Sequence, residues 1–357
     1  MRPLELSESD ARMPPSRQSP VPAVQALRRR DPWARGGRMR NALAVKKIYD
    51  LDQLLDEFRR RARPEPGRLV ALHGLEGMDG YNPSESIPNG RFPYVFVRAE
   101  PRDVEYDSWS VPFRMVSADC WEVEEHLPMY RLEDPCASVI HGTLVVGGVR
   151  IVSRVGNRPT WETVFLRGES PADLEEFARS PAYMKDVRLV ELEDGGVGVF
   201  TRPWGGPTSS RHMGYTELYS LDDLTTPVMA NAPLLTTQPV DGQWWGANAV
   251  YNLGDGNLGV LAHFATWKAG SRHYYPITFV FDRLRRKIVQ GPEIVADRSC
   301  FPEYAAREPD LQDVIFPGWL DREHNLLYAG LSDTAIGVMP LEDPFRSFRR
   351  EGRANVE

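Results

Sequence analysis

The sequence predicts an all-β fold, a five-bladed β-propeller with a short N-terminal helix and a disordered N-terminal tail. Three observations lead there. From about residue 67 the chain breaks into short apolar or alternating runs, among them 94–98, 138–142, 187–191, 197–201, 258–262 and 325–329, with the length and composition of strands. Turn signals separate them: Glu-Asp-Gly-Gly at 193–196 and Gly-Asp-Gly-Asn at 254–257 carry the Asp-Gly pair of tight hairpins. A polar knot precedes each strand pair, at Asn82, Asp134, Asp186, Asn248 and Asp313, giving separations of 52, 52, 62 and 65 residues, on the scale of one four-stranded blade per unit. A two-sheet sandwich shares the strand count but leaves the recurring knot unexplained.

Taken in order, residues 1–40 combine Pro, Ser, Arg and Glu with few aromatics and bury too little apolar surface to offset the entropy of ordering, which predicts the disordered tail. Its arginine clusters, Arg28–Arg30 and then Arg35, Arg38 and Arg40, read as a solvated charge run. Residues 41–66 form the leading helix and linker: Leu51, Leu54, Leu55 and Phe58 fall at i, i+3, i+4 and i+7, and arginines follow from Arg59, where the C-terminal end of a helix favours cations. Residues 67–347 form the propeller, and 348–357 a C-terminal tail.

Composition narrows the function classes. A length of 357 residues with 29 Gly and 30 Pro suits one large, turn-rich β unit. A net charge of −7 argues against a nucleic-acid partner, which calls for a basic face. No apolar run nears the roughly 20 residues that cross a bilayer, and the N-terminus has no secretory core. Cys120, Cys136 and Cys300 fit neither a disulfide framework nor a zinc pattern, so a soluble, cytoplasmic protein is expected. His73, His141, His212 and His263 lack metal-ligand spacing, and no phosphate loop, dinucleotide fingerprint or nucleophile elbow is present, so neither metal nor cofactor is expected.

In a propeller the innermost strands line one channel, so five sequence-distant knots become one pocket. Glu133-Asp134-Pro135 is the knot with the clearest chemistry. Proline restricts the backbone on both sides of itself, pinning an acidic pair at a strand entrance. A carboxyl beside another carboxyl, inside a pocket, has its protonated form favoured, as acid catalysis near neutral pH requires. The bland reading of Asp134 is a turn cap before proline.

These residues resemble a known family. Glu133-Asp134-Pro135, Lys185-Asp186, Phe200-Thr201-Arg202-Pro203 and the run from Leu327 to Thr334 look like successive motifs of the family 130 glycoside phosphorylases and mannosidases, which are five-bladed propellers. The longer string from Lys185 through Arg202-Pro-Trp-Gly205 to Trp244-Trp-Gly-Ala-Asn-Ala249 is more similar to a bacterial and protozoan group named for domain of unknown function 1861. The resemblance spans roughly residues 67–347. It implies that Asp134 is the catalytic acid, directly or through a sugar hydroxyl, and that Lys185 helps to hold inorganic phosphate. It also implies that Arg98, as in the family's first blade, faces the pocket. Thr201 stands where the phosphorylases carry a histidine, a departure that weakens phosphorolysis, although Lys185, Arg202 and Arg98 remain able to form an anion site.

The expected function is that of a glycoside-active enzyme, hydrolase or phosphorylase, acting on a small sugar, with mannose-containing sugars as candidates and inorganic phosphate as a possible second partner. Asp134 is the acid, and Asp79 or Asp333 the second axial carboxylate. Tyr81, Asn82, Arg98, Glu133, Lys185, Asp186, Arg202, Asn248 and Asp313 supply hydrogen bonds or charge to the substrate. Of the adjacent Trp244 and Trp245, which point to opposite faces, one belongs to the core and the other to the cleft, where Trp245 is a candidate stacking surface. A non-catalytic sugar-binding or sensing propeller is the alternative.

Overall fold

The computed structural model describes residues 48–348 apart from 103, 105–106, 156–157 and 204–211. The expectations for the 1–40 tail, for Trp204 and for residues 349–357 lie outside this range.

A helix spans Leu51–Arg61, where the apolar spacing places it. Asp50 caps it, its carboxylate accepting from the Asp52 backbone N–H at 2.8 Å. Leu51, Leu54, Leu55 and Phe58 are all buried, and Arg59–Arg61 occupy the last turn. Lys268 Nζ to Asp52 at 2.6 Å and Arg59 Nε to Asp297 at 3.0 Å pin it to the β-structure.

The rest is β-structure of the propeller type apart from a short helix at Thr226–Ala230, and besides a small parallel pair of Ile48–Tyr49 with Gln238–Pro239 its strands pair into five successive antiparallel groups. The first is Met78–Pro83, Tyr94–Pro101, Trp109–Ser117 and Cys120–Val123, with Ala71–His73 added in parallel at its edge. The second is Glu133–Ile140, Thr143–Val155, Arg158–Gly168 and Glu175–Arg179; the third is Met184–Glu191, Val197–Pro203 and Gly214–Leu218. The fourth is Gln243–Gly254, Asn257–Lys268, Ser271–Asp282 and Lys287–Ile294, and the fifth is Asp313–Asp321, Leu326–Leu331 and Ala335–Pro340. The third group has three strands, and a short parallel pairing of His273 and Tyr274 with Asp313 and Val314 joins the last two groups, together with Arg68–Leu69, into one eight-stranded sheet, so sheet membership alone does not count blades. Arg68–Leu69 pairs with Gly337 and Val338, so the start of the domain covers the edge of its last group. No helix of the described residues is long and apolar enough to cross a membrane.

The knots have a structural cause. In every group the pairing of the first two strands slips: between Tyr81 and Pro83, Glu133 and Cys136, Lys185 and Arg188, Ala247 and Ala249, and Pro317 and Trp319, with a second slip in the fourth group between Asn252 and Gly254. A bulge leaves a residue out of the ladder and re-aims its side chain. Asn82, Asp134 and Asp186 sit there with φ of 46°, 48° and 53°, a left-handed backbone that Asn and Asp tolerate better than other side-chain-bearing residues. Asn248 occupies the fourth bulge. The fifth falls at Gly318, which corrects the expectation for Asp313: that residue opens the strand five positions earlier, and its carboxylate is held by His273 Nδ1 at 2.7 Å and by the Tyr275 hydroxyl. A side chain has no room at the fifth bulge, where a Cβ on Gly318 would stand 2.7 Å from the Pro83 carbonyl oxygen.

Candidate functional site

The bulges and the strands beside them enclose a cavity of about 250 Å³. Arg98 is its electrostatic centre. Nη1 lies 3.1 Å from Asp134 Oδ1, Nη2 lies 3.2 Å from Glu100 Oε2 and 3.5 Å from Glu133 Oε1, and Nε donates to Ser108 Oγ at 3.1 Å. Its guanidinium carbon stands 5.1 Å from the centre of the Tyr81 ring, whose hydroxyl donates to Glu100 Oε2 at 2.5 Å. Asn82 Nδ2 completes the hold on Asp134, donating to Oδ1 at 2.8 Å.

These contacts reverse one expectation. Enclosure alone pushes the Asp134 carboxyl up, but the charges of Arg98 and Lys185 and the Asn82 hydrogen bond outweigh it and hold Asp134 below the ordinary carboxylate value. Asp134 is therefore ionised at neutral pH. Glu133 and Asp333 go the other way. Burial raises both, Arg98 opposes it, and the negative charge of Asp134 adds to the rise.

On the opposite wall, Arg202 clamps Asp186 through Nε and Nη2, with both side chains 2% exposed. His263 lies beside this pair, Nε2 at 3.6 Å from Asp186 Oδ2, and its Nδ1 is 2.8 Å from Asn248 Oδ1. Burial lowers His263 to about 3, leaving the imidazole neutral, while the charges of Arg202 first and then Lys185 and Arg188 hold Asp186 far below the usual range against its own burial. Gly246 makes room for the cluster, since a Cβ there would meet Asp186 Oδ2, His263 Cε1 and Arg202 Nε. Lys185 also lines the cavity and contributes its charge to Glu133, Asp134 and Asp186. Phe316 and Tyr274 supply an aromatic wall, each packed on the His263 ring, at 5.0 and 5.4 Å between centroids.

Of the residues expected in the pocket, Tyr81, Asn82, Arg98, Glu133, Asp134, Lys185, Arg202 and Asp333 line it. Asp186 and Asn248 stand behind the lining as partners of Arg202 and His263. Asp79 does not line it; its carboxylate is bound by Arg102 at 2.5 Å and approached by Arg307 at 3.9 Å. Trp245 belongs to the core, which corrects its expected place in the cleft: it is 0% exposed, donates to Gln238 Oε1 at 3.2 Å and packs on Tyr49, Phe264 and Phe279. Trp244 is buried too, 6% exposed, and does not line the cavity; it is in edge contact with Tyr274, which does. Thr201 is buried, its hydroxyl near Gly214, and a histidine from the neighbouring group, His263, lines the cavity. His263, Arg272, Tyr274, Arg307 and Phe316 also line the cavity, and no motif in the sequence marks them as site residues. A larger hollow of about 630 Å³ beside Phe58, Pro64 and Met339 is lined by charged residues that are all exposed, Arg61, Arg63, Glu65, Glu293 and Glu342. No group of three or more His, Cys, Asp or Glu among the described residues is placed to hold a metal ion.

Comparison with known proteins places this site in context. A family model described as "Protein of unknown function (DUF1861)" matches residues 56–347. Among solved structures, MPT-4 from Leishmania mexicana, a mannose phosphorylase in complex with phosphate ion, is 28% identical with a TM-score of 0.77, over 84% of this chain and 95% of that one. MPT-1 from the same organism, a GDP-Man-dependent mannosyltransferase, is 28% identical with a TM-score of 0.75, over 85% and 98%. A member of the GH130 family of mannoside phosphorylases is 13% identical with a TM-score of 0.56, over 82% and 96%, a likeness of fold alone. No curated protein matches the chain at a significant level.

Proposed function

We propose that this chain, which belongs to the DUF1861 family, is a sugar-active enzyme that cleaves or phosphorolyses a glycosidic bond in a small, mannose-containing sugar. The observation that carries the reading is a pair of carboxyls in one cavity with opposite proton affinities: Asp134 held ionised by Arg98 and Asn82, and Asp333 pushed toward its protonated form. Environments that drive two titratable groups apart mark the base and the acid of such a site. Asp333 is the proton donor to the leaving oxygen. Asp134 is the carboxylate that takes a proton from the attacking group or a sugar hydroxyl and stabilises positive charge on the ring.

Three further observations support it. A cavity of about 250 Å³ lies below the roughly 300–1,000 Å³ of drug-sized pockets and suits one pyranose with a small acceptor. Tyr274 and Phe316 offer apolar faces to a sugar ring. Lys185 and Arg202 offer charge to phosphate, and the similar Leishmania protein MPT-4 is a mannose phosphorylase solved with phosphate. The test is incubation with aryl mannosides and β-1,2-mannobiose, with and without inorganic phosphate, reading mannose and mannose 1-phosphate. Turnover that Asp134→Asn and Asp333→Asn both abolish is expected. Sugar binding with no turnover under either condition would instead make the chain a binding protein.

A further inference from the structure

The connection between the fourth and fifth groups, residues 301–312, crosses the cavity edge and is fastened on three sides. Arg307 Nη2 donates to the carbonyls of Pro101 and Val104 at 2.7 and 3.2 Å, its backbone N–H donates to Ser332 O at 3.1 Å, and Thr334 Oγ1 donates to Ala305 O at 2.7 Å. Arg272 Nε reaches Asp310 at 2.7 Å.

The other guanidinium nitrogen of Arg307, Nη1, is buried without a hydrogen-bond partner, and the side chain is 7% exposed. Its nearest acceptors are Glu100 Oε2 at 3.6 Å and Asp79 Oδ2 at 3.9 Å, beyond hydrogen-bond range but close enough for strong charge interaction in a buried setting. Glu100 Oε2 is the oxygen that accepts from Tyr81 and from Arg98 Nη2, and Arg98 in turn holds Asp134. A continuous line of charge therefore runs Arg307, Glu100, Arg98, Asp134.

We propose that Arg307 is a positioning residue that acts through Glu100 and Arg98 to keep Asp134 ionised and fixed; as a statement about catalysis, this rests on the function proposed above. The charge count gives the reason. Asp79, Glu100, Glu133 and Asp134 face the guanidinia of Arg98, Arg102 and Arg307, with Tyr81 as a neutral donor, Asp333 coupled by charge to Arg98, Asp134 and Glu100, and Lys185 and Arg272 also lining the cavity. Removing one buried cation from a set already richer in carboxylates makes the set bind a proton at a higher pH. Glu100 then loses a counter-charge, Arg98 turns more fully toward it, and Asp134 is held less firmly.

The test compares Arg307→Gln and Arg307→Lys with Thr334→Val, which loosens the same connection without removing charge. Thermal unfolding from pH 5 to 8 needs no substrate: the loss of Tm in Arg307→Gln should be largest at pH 8 and shrink as pH falls, while that of Thr334→Val stays level. In the activity assay, Arg307→Gln should lower kcat by about 10- to 100-fold with KM within about threefold and move the acid limb upward, and Arg307→Lys should recover much of both. A pH-independent Tm loss in Arg307→Gln, or the same limb shift in Thr334→Val, overturns the proposal. A wild-type protein inactive on every substrate overturns the catalytic reading alone, and the unfolding series still decides the charge coupling.

Discussion

Arg98 Nη1 lies 3.1 Å from Asp134 Oδ1, joining the second strand of the first group to the bulge of the second. The contact decides which carboxyl in the cavity carries charge, because it brings a cation from 36 residues away to a group that burial alone would protonate.

Asp134→Asn and Asp333→Asn should both reduce turnover by about 100- to 10,000-fold, yet move stability in opposite directions. Asp134 has a depressed folded pKa, so its contribution is present above the ordinary carboxylate range and lost as pH falls through the folded value. The Asn variant should melt lower at pH 7. Asp333 has a raised folded pKa, so its ionised form is disfavoured at neutral pH, and its Asn variant should melt at or above the wild-type temperature at pH 8, the gap closing as pH falls. Calorimetry at two pH values checks both; a lower Tm for Asp333→Asn at pH 8 contradicts the assignment.

Lys185→Met tests the acceptor. If phosphate is the second substrate, its KM should rise about tenfold or more while the KM for the sugar changes little, since the lysine charge faces the anion. An unchanged phosphate KM points to water as the acceptor.

Gly246→Ala should damage the Arg202–Asp186 clamp from behind. Its Cβ would stand 2.8 Å from His263 Cε1 and 3.0 Å from Arg202 Nε, and no flexible chain end is there to yield. A cost of about 1–3 kcal/mol is expected from overpacking, read as a lowered urea midpoint with an unchanged slope.

Glu85 makes stability depend on pH away from Asp134 and Asp333. Its enclosed carboxyl accepts from the Ala137 backbone N–H at 2.9 Å, tying the first group to the second, and burial raises it to about 7 against the opposing charge of Arg188. A raised folded pKa means stability that is full below the unfolded value near 4.5 and lost as pH rises toward 7. Glu85→Gln should therefore raise Tm by a few degrees at pH 8 and hardly at all at pH 4.5.

Much of the site was legible in the chain. Asn82, Asp134, Asp186 and Asn248 recur at blade-like spacing because each occupies the bulge of its group, and short polar residues tolerate that backbone. The fifth bulge escaped notice because it is Gly318, a residue with no side chain to signal a polar position, and Asp313 nearby drew the assignment instead. The tryptophan doublet shows a second limit. Alternation says that Trp244 and Trp245 point to opposite faces but not which face is the core, and the bulge just beyond them shifts the phase. His263 and Arg307 carry no local pattern at all, since one lies on a second strand and the other in a connection.

What the sequence determined by itself was local: strand runs, hairpin turns, the capped helix, and a series of polar residues at one point in each repeat. Backbone propensity and side-chain period act over a few residues, and a single chain displays them. Only the tertiary structure decided the charge states. Glu133-Asp134-Pro135 reads as a proton-holding acidic pair until Arg98, Asn82 and Lys185 arrive from other groups and leave Asp134 ionised, with the raised proton affinity on Glu133 and Asp333. A carboxyl's proton affinity is set by what lies within a few ångströms in space, and in this fold those neighbours come from strands about 36 to 52 residues away.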